Sequence, residues 1–182
     1  MKTTEISPNI KQYVFRQEKG DKDYGSCLWA IFSFDLSNFS LLIISDCGDF
    51  SYMWPKSDRE TFLHLMSRVR KNYLLEKFSG APSFDLEASI KATIKNIKEN
   101  EPEENRERVI NQVNELKNRE IMSEDEFEQE CDDIFIYFGW NDKCEAKIIR
   151  TYPLRTEKIV DIFINHVQPL IKETIEKEKD KK

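Results

Sequence analysis

The sequence predicts an α+β fold: an N-terminal antiparallel meander of about four strands packed against five or six amphipathic helices. Three observations predict it. Short segments of strand length, separated by turn clusters, fill the first third of the chain. Beyond Pro55 the apolar residues recur at spacings of three and four, the period of one helix face. The connections between the strand segments are short, and short connections join antiparallel neighbours.

The elements follow in order. Lys11–Glu18 reads as a strand, with Tyr13 and Phe15 alternating against Gln12 and Arg16. Gly20-Asp21-Lys22-Asp23-Tyr24-Gly25 is a turn cluster. Cys27–Asp35 is almost wholly apolar and predicts a central strand covered on both faces. After Leu36-Ser37-Asn38 comes a strand at Phe39–Ser45, then a turn at Asp46-Cys47-Gly48-Asp49 and a strand at Phe50–Trp54. Phe50, Tyr52 and Trp54 alternate onto one face, and at least two of them are expected in the core.

Ser57-Asp58-Arg59-Glu60 matches a capping box ahead of Phe62, Leu65, Met66 and Val69. Tyr73, Leu74, Leu75 and Phe78 continue to a stop at Gly80, with a break between two helices expected at Asn72. Ser83 or Asp85 caps a helix carrying Leu86, Ile90, Ile94 and Ile97, and Pro102 suits the first turn of the next, carrying Val109, Val113 and Leu116. Ser123-Glu124-Asp125-Glu126 is a second capping box, followed by Phe127, Cys131, Ile134, Phe135 and Phe138 and a stop at Gly139. Cys144–Tyr152 reads as a last strand. Arg155–Lys179 reads as a long helix with Ile159, Phe163, Val167, Leu170 and Ile175 inward, kinked or divided by Pro169.

The expected organisation is a single domain, 1–182, mainly sheet over 1–55 and mainly helical over 56–182, with a frayed Lys-rich end. Apolar residues at 39% and charged residues at 34% place the chain among globular proteins, not disordered ones. No apolar leader and no run near the ~20 residues of a bilayer span is present. The expected location is the cytoplasm. Cys27, Cys47, Cys131 and Cys144 form no C-x-x-C and have neither His64 nor His166 nearby in sequence, so they read as reduced thiols and not as a metal set.

No phosphate-cradling glycine motif and no nucleophile elbow appears, and the two histidines read as surface or boundary residues. The chain is therefore expected not to be an enzyme and to need no cofactor. Asp46 and Asp49 at the tight turn and Asp132 and Asp133 at the end of the acidic run are the candidates for metal-dependent chemistry, although turn propensity explains the turn pair as well.

Charge is the stronger signal. Lys56–Lys98 holds nine Lys/Arg and five Asp/Glu (9 − 5 = +4), whereas Glu101–Asp133 holds four and thirteen (4 − 13 = −9). The acidic run Glu124, Asp125, Glu126, Glu128, Glu130, Asp132 and Asp133 lies on one predicted helix. It is spread over roughly 15 Å of axis, which suits a negative stripe better than a compact metal site. Such a stripe can occupy a groove built for nucleic acid. The alternative is direct DNA or RNA contact by Arg59, Arg68, Arg70 and Lys71 with Tyr52, Trp54 and Tyr73 as stacking partners. An overall charge of −6 weighs against that alternative.

The segment Asp46-Cys47-Gly48-Asp49-Phe50-Ser51-Tyr52-Met53-Trp54, with Phe62-Leu63 and Asn72-Tyr73-Leu74-Leu75-Glu76-Lys77-Phe78, resembles small prophage-encoded accessory proteins. In that family a D-x-G-x-aromatic-[SA]-Y-x-W hairpin precedes a helix with an aromatic–leucine pair and a Y-L-x-x-K-[FL] motif. The similarity runs over Phe34–Phe78 and implies a mobile-element setting in a bacterial host, with no assigned chemistry. In size, acidity and setting the chain is also similar to anti-CRISPR proteins, some of which use acidic surfaces to fill the nucleic-acid channel of an RNA-guided nuclease. That similarity implies a host protein partner, a CRISPR nuclease. Exposed helical faces would serve a homodimer, although no coiled-coil heptad run is present.

Overall fold

The computed structural model describes residues 9–21, 24–100, 103, 105–119, 122–140 and 144–179, with the backbone alone at 100. In chain order the elements are β1 (Ile10–Arg16), β2 (Trp29–Asp35), β3 (Ser40–Ser45), β4 (Phe50–Met53), α1 (Phe62–Arg68), α2 (Lys71–Ser79), β5 (Ser83–Phe84), α3 (Leu86–Asn100), α4 (Arg106–Glu115), α5 (Glu124–Tyr137), β6 (Arg150–Thr151), α6 (Leu154–Ile162) and α7 (Gln168–Lys179). The fold is α+β. Its contacts divide it into two compact units. The first is built from the chain up to Ala81 and from Tyr152 onward, and the second from Pro82–Thr151. Among the described residues no helix is long and apolar enough to cross a membrane. Pro102, residues 180–182 of the Lys-rich end and part of the Gly20–Gly25 turn cluster lie outside the described residues.

In the first unit β1–β4 form the expected antiparallel meander in sequential order. The register sets Tyr13 opposite Phe32, Phe32 opposite Ile43, and Ile43 opposite Phe50. One sheet face, with Phe32, Phe34, Leu41 and Ile43, is sealed by Phe62, Met66 and Leu74 and by Ile159, Phe163 and Val167. Phe62 collects the aromatics: its ring lies 5.3 Å from Phe39, 5.4 Å from Trp54 and 6.0 Å from Phe34. Phe39 adopts φ 53° at the β2–β3 turn, an uncommon conformation for a bulky residue. Asp35 builds that turn by accepting from the backbone N–H groups of Ser37 and Asn38 and from the Asn38 side chain.

Three sequence expectations change here. The β2 strand is covered on one face only: Trp29, Leu42 and Ile44 are exposed on the other face, with Ser33 and Asp35 beside them. The two polar residues belong to an outer face whose apolar members hid the alternation. The first helix starts at Phe62, not at the Ser57 box; Thr61 caps it, and Glu60 instead receives Arg68. The helix break falls at the extended Val69–Arg70 pair, and Asn72 lies inside α2.

Pro169 acts as expected, but the division is a π turn at Phe163–Val167. The wider turn, in which Gln168 N–H donates to Phe163 O five residues back, sits just ahead of the proline. It also advances the helix phase by one residue, so Phe163, Val167, Ile171 and Ile175 stack inward. Leu170, expected inward, is therefore exposed.

In the second unit α3, α4 and α5 enclose Ile97, Val109, Val113, Phe127, Cys131 and Phe135. The Ser123–Glu126 capping box forms in full. Asp85 caps α3 through Ala88 N–H and also accepts from the Thr151 hydroxyl. Only Arg150–Thr151 of the expected last strand pairs, with Ser83–Phe84. The residues before it are held by α3: Lys147 N–H donates to Thr93 Oγ1 at 2.9 Å and Ile149 N–H to Ser89 Oγ at 2.8 Å. Both hydroxyls are buried, so the helix supplies the acceptors that a neighbouring strand would otherwise provide.

Candidate interaction surface

The acidic run lies on α5, and its seven carboxylates fall into two groups. Glu124 accepts a bidentate pair from Arg150, with Nε at 2.8 Å. Glu126 closes the capping box by accepting from Ser123 N–H at 2.7 Å, which holds its carboxyl below the usual glutamate range. Glu130 pairs with Arg119 at 2.7 Å, and Asp133 accepts from Gln129. These four serve the fold. Asp125, Glu128 and Asp132 are exposed, and no ion pair joins them to another described residue. Their i, i+3, i+7 spacing puts them on one exposed stripe that flanks the face of buried Phe127, Cys131 and Phe135, about a quarter turn round the helix. On another face of the helix, a groove of about 760 Å³ carries both signs of charge, including Arg108, Glu115, Glu130 and Asp133. Ile136 and Tyr137 at the end of the helix are also exposed.

The basic candidates are arranged differently. Arg68 is engaged by Glu60 at 2.6 Å and Lys71 by Asp161 at 2.7 Å. Arg59 and Arg68 line a shallow depression with His64. Of the aromatics expected to stack on bases, Trp54 is buried, Tyr52 is half-buried and Tyr73 is exposed. Trp54 Nε1 donates to the Tyr73 hydroxyl at 3.0 Å. Lys77 Nζ sits 5.0 Å from the Tyr52 ring and 5.1 Å from the Tyr73 ring. The Y-L-x-x-K motif thus places a cation between two aromatic rings, one on the hairpin and one on the helix. Phe50 and Trp54 are core and Tyr52 is half-buried, as the alternation predicts. His64 Nδ1 meets Thr61 Oγ1 at 2.7 Å, and His166 leans on Phe15; both histidines are exposed.

Among the described residues one set of metal-ligating side chains converges: Cys27, Asp46 and Cys47, with donor atoms all within 4.8 Å of one another. Burial pushes the Cys27 thiol up, and neighbouring Cys47 and Asp46 push it further. Burial acts to raise Asp46 as well, but hydrogen bonds from Leu28, Cys27 and Trp29 outweigh it and hold the carboxyl low. Asp49, the other turn carboxylate, is exposed and is not part of the set. The sequence reading paired Asp46 with Asp49 and missed the two thiols. The signal was there in the hairpin register, which carries Cys27 toward Cys47 once Ala30 faces Ser45.

A model of a phage family, phiTE_072, matches residues 5–173. The chain belongs to that phage family. Membership agrees with the mobile-element setting implied by the hairpin and helix motifs, and it makes the chain a phage accessory protein. Comparison with curated proteins and with solved structures returns no match.

Proposed function

We propose that this phage protein acts by binding, not catalysis, as a counter-defence inhibitor of a host nuclease complex of the RNA-guided CRISPR type. The observation that carries the reading is the exposed stripe of Asp125, Glu128 and Asp132 on α5. Seven residues of helix advance about 10 Å. One strand of duplex presents a phosphate about every 3.4 Å of axis, so the stripe has the length of roughly three phosphates. Three carboxylates on a rigid helix can therefore occupy basic residues that otherwise hold a nucleic-acid backbone. The electrostatics would speed encounter with such a channel, and specificity would come from the flanking surface, where Ile136 and Tyr137 offer exposed apolar area.

The test is nuclease cleavage in the presence of the purified protein. The comparison is a variant carrying Asp125→Asn, Glu128→Lys and Asp132→Lys, which spares the four structural carboxylates. Inhibition by the parent and at least a tenfold weaker effect of the folded variant is the expected result. Equal inhibition by both would remove the stripe from the interface. A pull-down from bacterial lysate, with and without nuclease treatment, identifies the partner. Recovery that depends on nucleic acid would redirect the reading to DNA or RNA binding.

A further inference from the structure

We infer that Cys27, Asp46 and Cys47 form a binding site for one thiophilic divalent cation of the zinc class, completed by water. The inference is independent of the acidic helix, since these residues belong to the hairpin end of the first unit.

Topology brings the donors together. The β2–β3 ladder pairs Ala30 with Ser45, and Asp46 N–H donating to Trp29 O carries the pairing one step further. The next residues on the two strands, Leu28 and Cys47, are then opposed, and Cys27 lies diagonally across. The two Sγ atoms are 3.0 Å apart. A zinc ion bound at about 2.3 Å to sulfur and 2.0–2.2 Å to oxygen separates its tetrahedral ligands by roughly 3.4–3.8 Å. The three donors therefore reach coordination distance through rotations that move each by about an ångström. The sulfur separation is too long for a disulfide, whose bond is about 2.05 Å.

The carboxylate is already oriented. Asp46 Oδ2 accepts from Leu28 N–H at 2.9 Å and Oδ1 from Trp29 N–H at 3.4 Å. Those bonds leave lone pairs on both oxygens, and backbone donors behind a carboxylate are the usual outer support of a metal ligand. Burial grades across the set: Cys27 is enclosed, Cys47 is half-buried and Asp46 is exposed. That gradient leaves an open side for entry and for a water ligand. Two sulfurs with one oxygen favour zinc or cadmium over magnesium or calcium, which take all-oxygen sets.

The experiment uses the full chain, purified under reducing conditions, stripped with a chelator and titrated with Zn²⁺ and separately with Cd²⁺. Cadmium is followed by its thiolate charge-transfer absorption. The expected result is one equivalent bound per chain, with affinity at least tenfold weaker in Cys47→Ser and in Asp46→Asn and unchanged in Cys131→Ser. Cys47 is half-buried and Asp46 exposed, so both variants are expected to fold, and circular dichroism checks this. Binding that survives Cys47→Ser, binding lost only in Cys131→Ser, or no saturable uptake would each overturn the assignment. So would recovery of freshly isolated protein with Cys27 and Cys47 joined as a disulfide.

Discussion

Gln168→Leu removes the two hydrogen bonds that close the end of α1. Gln168 is 7% exposed, and its Nε2 donates to Met66 O at 3.0 Å and to Val69 O at 2.9 Å. Both acceptors belong to the last turn of α1 and its cap, where carbonyls have no partner within the helix. Leucine matches the volume of the side chain but offers no donor. Each buried acceptor left unpaired costs about 1–3 kcal/mol, and the added apolar burial returns ~1–2 kcal/mol, for a net loss of about 2–3 kcal/mol. The assay is urea unfolding followed by tryptophan fluorescence in a Trp140→Phe background. The remaining tryptophans, Trp29 and Trp54, both lie in the first unit. A fall in midpoint at constant slope is expected. A loss below about 0.5 kcal/mol would refute the reasoning, because it would mean that water or relaxation serves those carbonyls as well as Gln168 does.

The phase shift imposed by the π turn is testable by a pair of substitutions: Ile171→Ala should cost about 2–5 kcal/mol by emptying a buried position, whereas Leu170→Ala should stay within ~0.5 kcal/mol. Equal costs in the same unfolding assay would put the helix in ordinary α phase. The Asp35 turn predicts a pH dependence. The Asn38 side chain and the Ser37 and Asn38 N–H groups hold the carboxyl below its ordinary value. The stability it contributes is therefore present above the ordinary aspartate value and is lost as pH falls through the lower folded one. Asp35→Asn should flatten that acid-side slope in a series of thermal melts, and an unchanged slope would contradict the linkage.

Much of the architecture was readable in the residues because it rests on local periodicity. The strand alternation of Phe50, Tyr52 and Trp54, the Ser123–Glu126 box and the stop at Gly139 all follow from interactions within a few residues, and all appear as expected. Local signals also compete. Ser57–Glu60 has the letters of a capping box, but Thr61 sits one residue before Phe62 and caps the helix, and Glu60 accepts from Arg68. On β2 the apolar run concealed which face the helices would cover, since a strand's sequence does not say how many layers will pack on it.

The amino-acid sequence alone determined the element types, the meander, the acidic and basic runs and the phage setting. The first three depend on composition or on neighbours close along the chain, and the phage setting rests on the resemblance of the Phe34–Phe78 motifs to a family. Tertiary structure decided which carboxylates are spent on the fold and which remain outward. It also decided that Lys77 is held between Tyr52 and Tyr73, that Gln168 closes a helix about a hundred residues earlier, and that Cys27 and Cys47 meet beside Asp46. Those outcomes turn on which distant groups come within a few ångströms. Hydrogen bonding and ion pairing act only at that range, and sequence spacing does not encode it.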